Sequence, residues 1–244
     1  RAKSARKGAA VDASSVESYR AVMEQHGTTS FVGYETTEST SKVLAVLPVV
    51  SDSAEGANTV EIFLDVTAFY AESGGQVGDT GVITSSTGEA RVVDTTFALP
   101  GLRKHACEMT RGVIESGQQV QASVDVLVRD ATRRNHTATH VLHWALRQVL
   151  GEHVKQAGSL VSDERLRFDF SHYASVTQDE IEQIERIANA QVLNNADVKN
   201  YETSKEKATQ TNDKIAVTPE DINVRTQGIA SNFYNSNKKY PDFK

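Results

Sequence analysis

The sequence is poor in several features that would fix its class directly. It holds one cysteine, Cys107, in 244 residues, which excludes an intrachain disulfide framework and leads to the expectation of a reducing, cytoplasmic setting. No apolar run approaches the ~20 residues that a membrane-spanning helix needs. The longest, Val43 to Val50, is interrupted by Pro48, so no membrane partner is expected. The opening Arg-Ala-Lys-Ser-Ala-Arg-Lys has no apolar segment behind it and does not read as a secretory signal. An initiator Met is missing as well, which leads to the expectation that the chain starts inside a longer protein. A basic excess is also lacking. The net charge of −6 argues against nonspecific coating of nucleic acid, although a local basic surface depends only on where the charges sit.

What is present is ordinary soluble-domain material, 39% hydrophobic and 24% charged, in a length that suits one large or two modest domains with a real core. Residues 1–29 read as a polar helical lead-in, with Val16, Tyr19, Val22 and Met23 at helical spacing and Gly27 where a helix would stop. From Ser30 to about Val128 short strands alternate with turns: Lys42–Val50, Thr59–Val66, Glu89–Thr95 and Gln119–Val126. In the last, Val120, Ala122, Val124 and Val126 alternate with Gln121, Ser123 and Asp125, as in a half-buried strand. Several strands at short spacing with Gly-rich turns point to a small barrel. Beyond it, Asn135–Leu150 predicts a helix ending at Gly151, and Leu166–Phe170 alternates as a strand. Thr177-Gln-Asp-Glu180 is a capping box before a helix with Ile181, Ile184, Ile187 and Ala188 on one face, running to about Leu193. Asn212–Lys244 is polar, Asn-rich and without sustained periodicity.

Three features carry chemistry. His136-Thr-Ala-Thr-His140 places two imidazoles one helical turn apart, and at ~100° per residue His136, His140 and His143 share a stripe of roughly 60°. Two such rings can chelate one metal ion, and nitrogen donors suit Zn²⁺; a polar helix face with no metal is the other reading. Thr137 stands where a metalloprotease would carry its Glu, which weakens a peptidase reading. The second feature, Phe69-Tyr-Ala-Glu-Ser-Gly-Gly-Gln-Val-Gly-Asp79, has three glycines within five residues, letting backbone approach backbone or a ligand. It has neither the Lys of a phosphate-binding loop nor dinucleotide spacing. The third is Arg129, Arg133 and Arg134 ahead of the predicted helix. Positive charge there does not serve the helix dipole and hints at an external anion such as a nucleic-acid backbone; solvated surface arginines are the alternative.

These blocks resemble one family. The Phe69–Asp79 segment is similar to a signature of alanyl-tRNA synthetases that precedes their editing domain. Arg134-Asn-His-Thr-Ala-Thr-His-Val-Leu-His143 with Ala145–Val154 resembles the metal helix of the same family. Gln156-Ala-Gly-Ser-Leu-Val161, Leu166-Arg-Phe-Asp-Phe-Ser-His172 and Tyr201–Ala208 continue the likeness in order, over roughly Thr29 to Ala208. The resemblance implies an α+β fold class: a small antiparallel, translation-factor-like β-barrel over 30–128, then an α+β editing domain over 129–208, with a divergent polar tail over 209–244. It implies His136 and His140 as zinc ligands, Thr139 and Gln156 in the catalytic pocket, and Ser159, Gly74, Gly75 and Gln76 lining or packing near the substrate. It implies hydrolysis of the ester in Ser-tRNA(Ala) or Gly-tRNA(Ala), with the tRNA(Ala) acceptor end as partner.

Two family features are missing. The Cys-Gly-Gly-Thr-His segment that completes the family's zinc site is not found, and no histidine follows His172. The class II ATP-binding motifs are not found either, so ATP use is expected to belong to an upstream domain outside this chain. The expectation is therefore an alanine–tRNA ligase piece with an incomplete editing site; a noncatalytic tRNA-binding or structural fragment that has lost its metal is the alternative. The residues say nothing about oligomeric state.

Overall fold

The computed structural model describes residues 13–49 and 58–195, with the backbone of two further short strands at Asp197–Val198 and Ile222–Asn223. Apart from that backbone, the expected tail over 209–244 and the Tyr201–Ala208 block lie outside the described residues. The chain divides into two compact units, one ending at Asp130 and one beginning at Ala131.

The first unit opens with helix α1 (Ala13–His26). It stops at Gly27, whose φ of +78° is open to glycine without a Cβ clash and whose amide closes onto the Met23 carbonyl at 2.8 Å. Tyr19 and Val22, three apart and so on one face, are buried with Leu44, Phe63 and Leu102. Strands β1 (Ser30–Phe31) and β4 (Val66–Thr67) pair in parallel. Six others close an antiparallel barrel in the order β2 (Glu38–Pro48), β3 (Thr59–Leu64), β7 (Leu102–Gly112), β6 (Gly88–Leu99), β5 (Gly81–Thr84), β8 (Gln119–Val124). Closure removes the unpaired edges that an open sheet would present. The barrel is filled by inward residues of every strand, among them Val43, Ile62, Leu64, Ile83, Val92, Cys107 and Val120. In β8 the expected alternation holds: Val120, Ala122 and Val124 are buried while Gln119 and Gln121 face outward.

Strands β2, β3 and β6 depart by up to four residues from the expected Lys42–Val50, Thr59–Val66 and Glu89–Thr95, and the larger difference lies where the last barrel strand meets the helix. The fourth predicted strand, Gln119–Val126, stops at Val124, because Asp125 takes over as a helix cap: its Oδ1 accepts the amides of Leu127 and Val128, both at 3.1 Å. Helix α2 therefore spans Val126–Leu150, nine residues longer at its start than the periodicity predicts, and Val126 is 45% exposed on it rather than continuing the strand. Of the six barrel strands, β5 and β7 have no counterpart in the sequence reading, and neither does β9 (Gln156–Val161) beyond the barrel. In β7 the inward positions include His105, fully buried, which breaks the apolar alternation that marks a strand. Its ring is nonetheless satisfied. Nδ1 lies 2.9 Å from the Ile62 carbonyl, which can only accept, so Nδ1 carries the proton. Nε2 then accepts the Thr67 hydroxyl at 2.9 Å, and that hydroxyl oxygen accepts the Phe69 amide.

The second unit holds the rest of α2, the hairpin β9 (Gln156–Val161) and β10 (Leu166–Phe170), and helix α3 (Gln178–Leu193). Gly151 ends α2 with φ +109°, its amide on the Arg147 carbonyl. The hairpin is antiparallel, with Phe168 opposite Ser159 and a register shift at Asp169/Phe170. The capping box at Thr177 forms both of its reciprocal bonds with Glu180. Ala145, Leu146, Val154 and Ile184 are the buried centre, with Leu142, Trp144, Phe168, Phe170, Ile187 and Ala188 packed around them. Ile181, expected on the inner face of α3, is 40% exposed instead.

Candidate functional site

On α2 the two histidines of the His-x-x-x-His pair come together. The rings of His136 and His140 lie 5.1 Å apart and within 20° of parallel. His136 is half-buried and His140 exposed, while Ala138, Val141 and Ala145 are buried on the other side of the helix. Desolvation holds both imidazoles below the ordinary histidine value, and for His140 the neighbouring His136 and His143 act in the same direction. Both rings are therefore neutral at physiological pH, the form in which imidazole binds a metal. His143 does not share that open stripe. Its ring packs on Phe168 at 5.0 Å and its Nε2 lies 3.4 Å from the Val154 carbonyl.

Thr139 is buried, and its hydroxyl donates to the Asn135 carbonyl one turn back at 2.8 Å, a common use of Thr in a helix. Asn135 in turn donates to the Ser162 and Asp163 carbonyls, which ties this part of α2 to the β9–β10 turn. Gln156 and Ser159 form a second pair: Gln156 Nε2 donates to Ser159 Oγ at 3.0 Å from the exposed start of β9. Among the described residues no group of three His, Cys, Asp or Glu side chains is placed to hold a metal ion.

Gly74, Gly75 and Gln76 belong to the barrel unit. Ser73 and Gln76 exchange backbone hydrogen bonds of 3.2 and 3.0 Å across a two-residue turn, in which Gly74 and Gly75 both take positive φ, +60° and +85°. Gln76 is buried. The whole loop hangs from Asp79, whose carboxylate accepts the Tyr70 amide at 2.6 Å and whose amide returns to the Tyr70 carbonyl. Asp79 is paired in turn with Arg129, and both are nearly inaccessible, at 4% and 6% of their surface. Arg129 also donates to the Ala68 and Gly33 carbonyls at 2.7 and 3.0 Å. Arg129 is thus an interior counter-charge and not available to an external anion, which corrects the reading of the three arginines as one basic group.

Sequence reasoning assigned no role to the contact between His153 and His172, whose Nε2 and Nδ1 lie 2.8 Å apart while Tyr173 stacks on His153 at 4.4 Å. The two residues lie on separate loops, so no local spacing announces them.

Comparison with known proteins follows the same lines. Residues 1–128 match the family model described as tRNA synthetases class II (A). The chain is 45% identical to the alanine–tRNA ligase of Desulforamulus reducens over 192 residues, which is 78% of this chain and 22% of that protein. It is 53% identical over 165 residues to the alanine–tRNA ligase of Shouchella clausii, covering 66% and 19%. It is 48% identical over 180 residues to that of Paracoccus denitrificans, covering 72% and 20%. The chain spans about a fifth of the length of these curated relatives. With the family model covering more than half of its residues and these relatives extending into the second unit, the chain belongs to the alanyl-tRNA synthetase family.

Proposed function

We propose that this chain contributes the editing part of an alanine–tRNA ligase, hydrolysing the ester of Ser-tRNA(Ala) or Gly-tRNA(Ala) at the acceptor end of tRNA(Ala), in the cytoplasm. The observation that carries this reading is the neutral, parallel His136–His140 pair on an open face of α2 in a chain of this family. The need for such a reaction is physical. A pocket shaped for alanine cannot exclude the smaller glycine, and the hydroxyl of serine changes binding by only about 1–3 kcal/mol, so errors must be removed at a second site.

His136 and His140 suit zinc as two nitrogen donors, short of the three protein ligands that a catalytic zinc site commonly uses. Bound there, zinc would supply a Lewis acid and lower the pKa of a bound water. The protein side chains orient rather than take protons. Gln156, whose amide cannot act as a base, keeps its Oε1 as an acceptor and one N–H as a donor for the substrate while Nε2 also holds Ser159. Thr139, its proton committed to Asn135, can offer only lone pairs. The absence of a three-ligand cluster among the described residues favours a second reading, a noncatalytic tRNA-binding fragment. Deacylation of Ser-tRNA(Ala) by the chain, with and without added zinc, separates the two. Zinc-dependent hydrolysis that His136→Ala abolishes is expected. Binding of tRNA(Ala) with no hydrolysis at any zinc concentration, and no His136-dependent heat of zinc binding, would establish the second reading.

A further inference from the structure

The buried and half-buried Lys and Arg side chains of the barrel unit are matched by carboxylates with one exception among the described residues. Lys104 meets Glu61 at 2.7 Å and Arg129 meets Asp79. Arg103, next to Lys104 on β7, has no such partner among the described residues. Its Nη1 reaches only the Thr29 carbonyl, at 3.4 Å, and its buried Nε has no acceptor. Instead the guanidinium sits between two aromatic rings, 4.5 Å from the centroid of Phe31 and 5.0 Å from that of Phe97, its cross-strand partner on β6. Phe31 also meets Tyr34 edge-on at 5.0 Å and Tyr70 at 6.3 Å. The cluster opens to solvent through two rings: Tyr34 is 72% exposed and Phe97 41%. Desolvation lowers the pKa of Arg103, and the groups that act on it electrostatically in the other direction are the phenols of Tyr34 and Tyr70.

Burying part of a guanidinium without a counter-charge costs free energy that an incoming anion would recover. Aromatic faces hold the plane of the guanidinium, and with Nε buried it is the Nη end that would meet a phosphate. The exposed rings beside it offer flat faces for stacking, which a nucleobase uses and a carboxylate side chain does not. We propose that the Phe31–Tyr34–Phe97–Arg103 patch of the barrel unit is a binding site for unpaired RNA, with a backbone phosphate on Arg103 and bases stacked on Tyr34 and Phe97. The choice of RNA among polyanions rests on the proposed action on tRNA.

The test is fluorescence anisotropy of a short labelled, unpaired RNA titrated with the whole chain at several salt concentrations. Tyr34→Ala, at a solvent-facing ring whose removal leaves the core intact, is expected to weaken binding about tenfold, within the range measured for losing one stacked base. Arg103→Gln is expected to make the slope of log K against log salt shallower by about 0.7, as for one lost phosphate contact on a single strand. Binding by both variants equal to that of the parent chain would overturn the proposal. So would binding of a polyglutamate peptide as tight as that of the RNA. Measuring Ser-tRNA(Ala) hydrolysis by the parent chain alongside keeps the two readings apart. Patch-dependent RNA binding without hydrolysis removes only the editing assignment, and hydrolysis with patch-independent RNA binding removes only this site.

Discussion

The buried pair of Asp79 and Arg129 offers the sharpest test of how the barrel unit is held. Arg129→Met keeps the length and apolar stem of the side chain but removes the charge and every donor. It strands the Asp79 carboxylate at 4% exposure, with the Tyr70 amide still donating to it but no cation beside it. It also removes the donors to the Ala68 and Gly33 carbonyls. Breaking one side of a buried ion pair costs about 3–5 kcal/mol, and a buried carbonyl left without a donor adds about 1 kcal/mol more. The expected loss is therefore about 5 kcal/mol, a large share of the ~5–15 kcal/mol that holds a domain together. The double variant Asp79→Asn/Arg129→Met restores neutrality and keeps an acceptor for the Tyr70 amide. It should fall within about 2 kcal/mol of the parent, because the single variant suffers mainly from the isolated charge. Urea unfolding followed by far-ultraviolet circular dichroism measures both, provided the slope with denaturant is unchanged. A single variant destabilised by less than about 1 kcal/mol, or a double variant worse than the single, would refute the reasoning.

Four further outcomes are expected. Burial lowers the pKa of His105 to about 4, against an unfolded value of about 6.5. The unfolded chain therefore binds a proton that the folded chain refuses. The stability linked to this group is complete above about pH 6.5 and falls by up to roughly 3 kcal/mol as the pH drops toward 4; His105→Gln should flatten that part of the curve of urea midpoint against pH. Burial pushes the thiol of Cys107 up to about 12, so a thiol reagent should label the native chain slowly and the urea-unfolded chain at once, with one equivalent because the chain has a single cysteine. Gly78→Ala puts a Cβ 2.0 Å from the Thr95 carbonyl oxygen and should cost about 1–3 kcal/mol in the same urea melts, whereas Gly74→Asn, at φ +60° with open space around it, should cost under about 1 kcal/mol. Thr177→Ala removes the cap of α3 and should cost about 1 kcal/mol in the same melts.

The elements that could be read from the sequence are those whose signals are local and whose inward positions are apolar. Strand β8 shows alternation, the capping box shows both of its partners three residues apart, and Gly27 and Gly151 stand where their helices stop. Strand β7 was hidden because one of its inward residues is a histidine, and the groups that make His105 acceptable inside, Thr67 and the Ile62 carbonyl, come from other segments. The early start of α2 was hidden for a different reason. Val120 to Val126 keeps a two-residue rhythm across the end of the strand, and only the bonds of Asp125 show that the rhythm has changed meaning.

The same distinction separates the parts of the candidate site. His136 and His140 are one helical turn apart, so spacing alone brings them together, whereas Gln156 and Ser159, three apart on a strand, reach the same side through the register shift of the hairpin opposite Asp169 and Phe170. Arg129 is the opposite case. By the helix dipole alone, an arginine in the first turn is a charge placed for something outside. Its counter-charge is Asp79, fifty positions earlier, at the end of the glycine-rich loop. Once that partner is seen, the two motifs that the sequence presented as separate, the loop and the helix start, become one interaction. The dipole mismatch, at most about 1 kcal/mol for most surface charges, is small beside the cost of leaving a buried carboxylate unpaired. The stronger of the two effects governs where the side chain goes, so a charge that looks misplaced on its own helix is better read as evidence of a distant partner than of an external ligand.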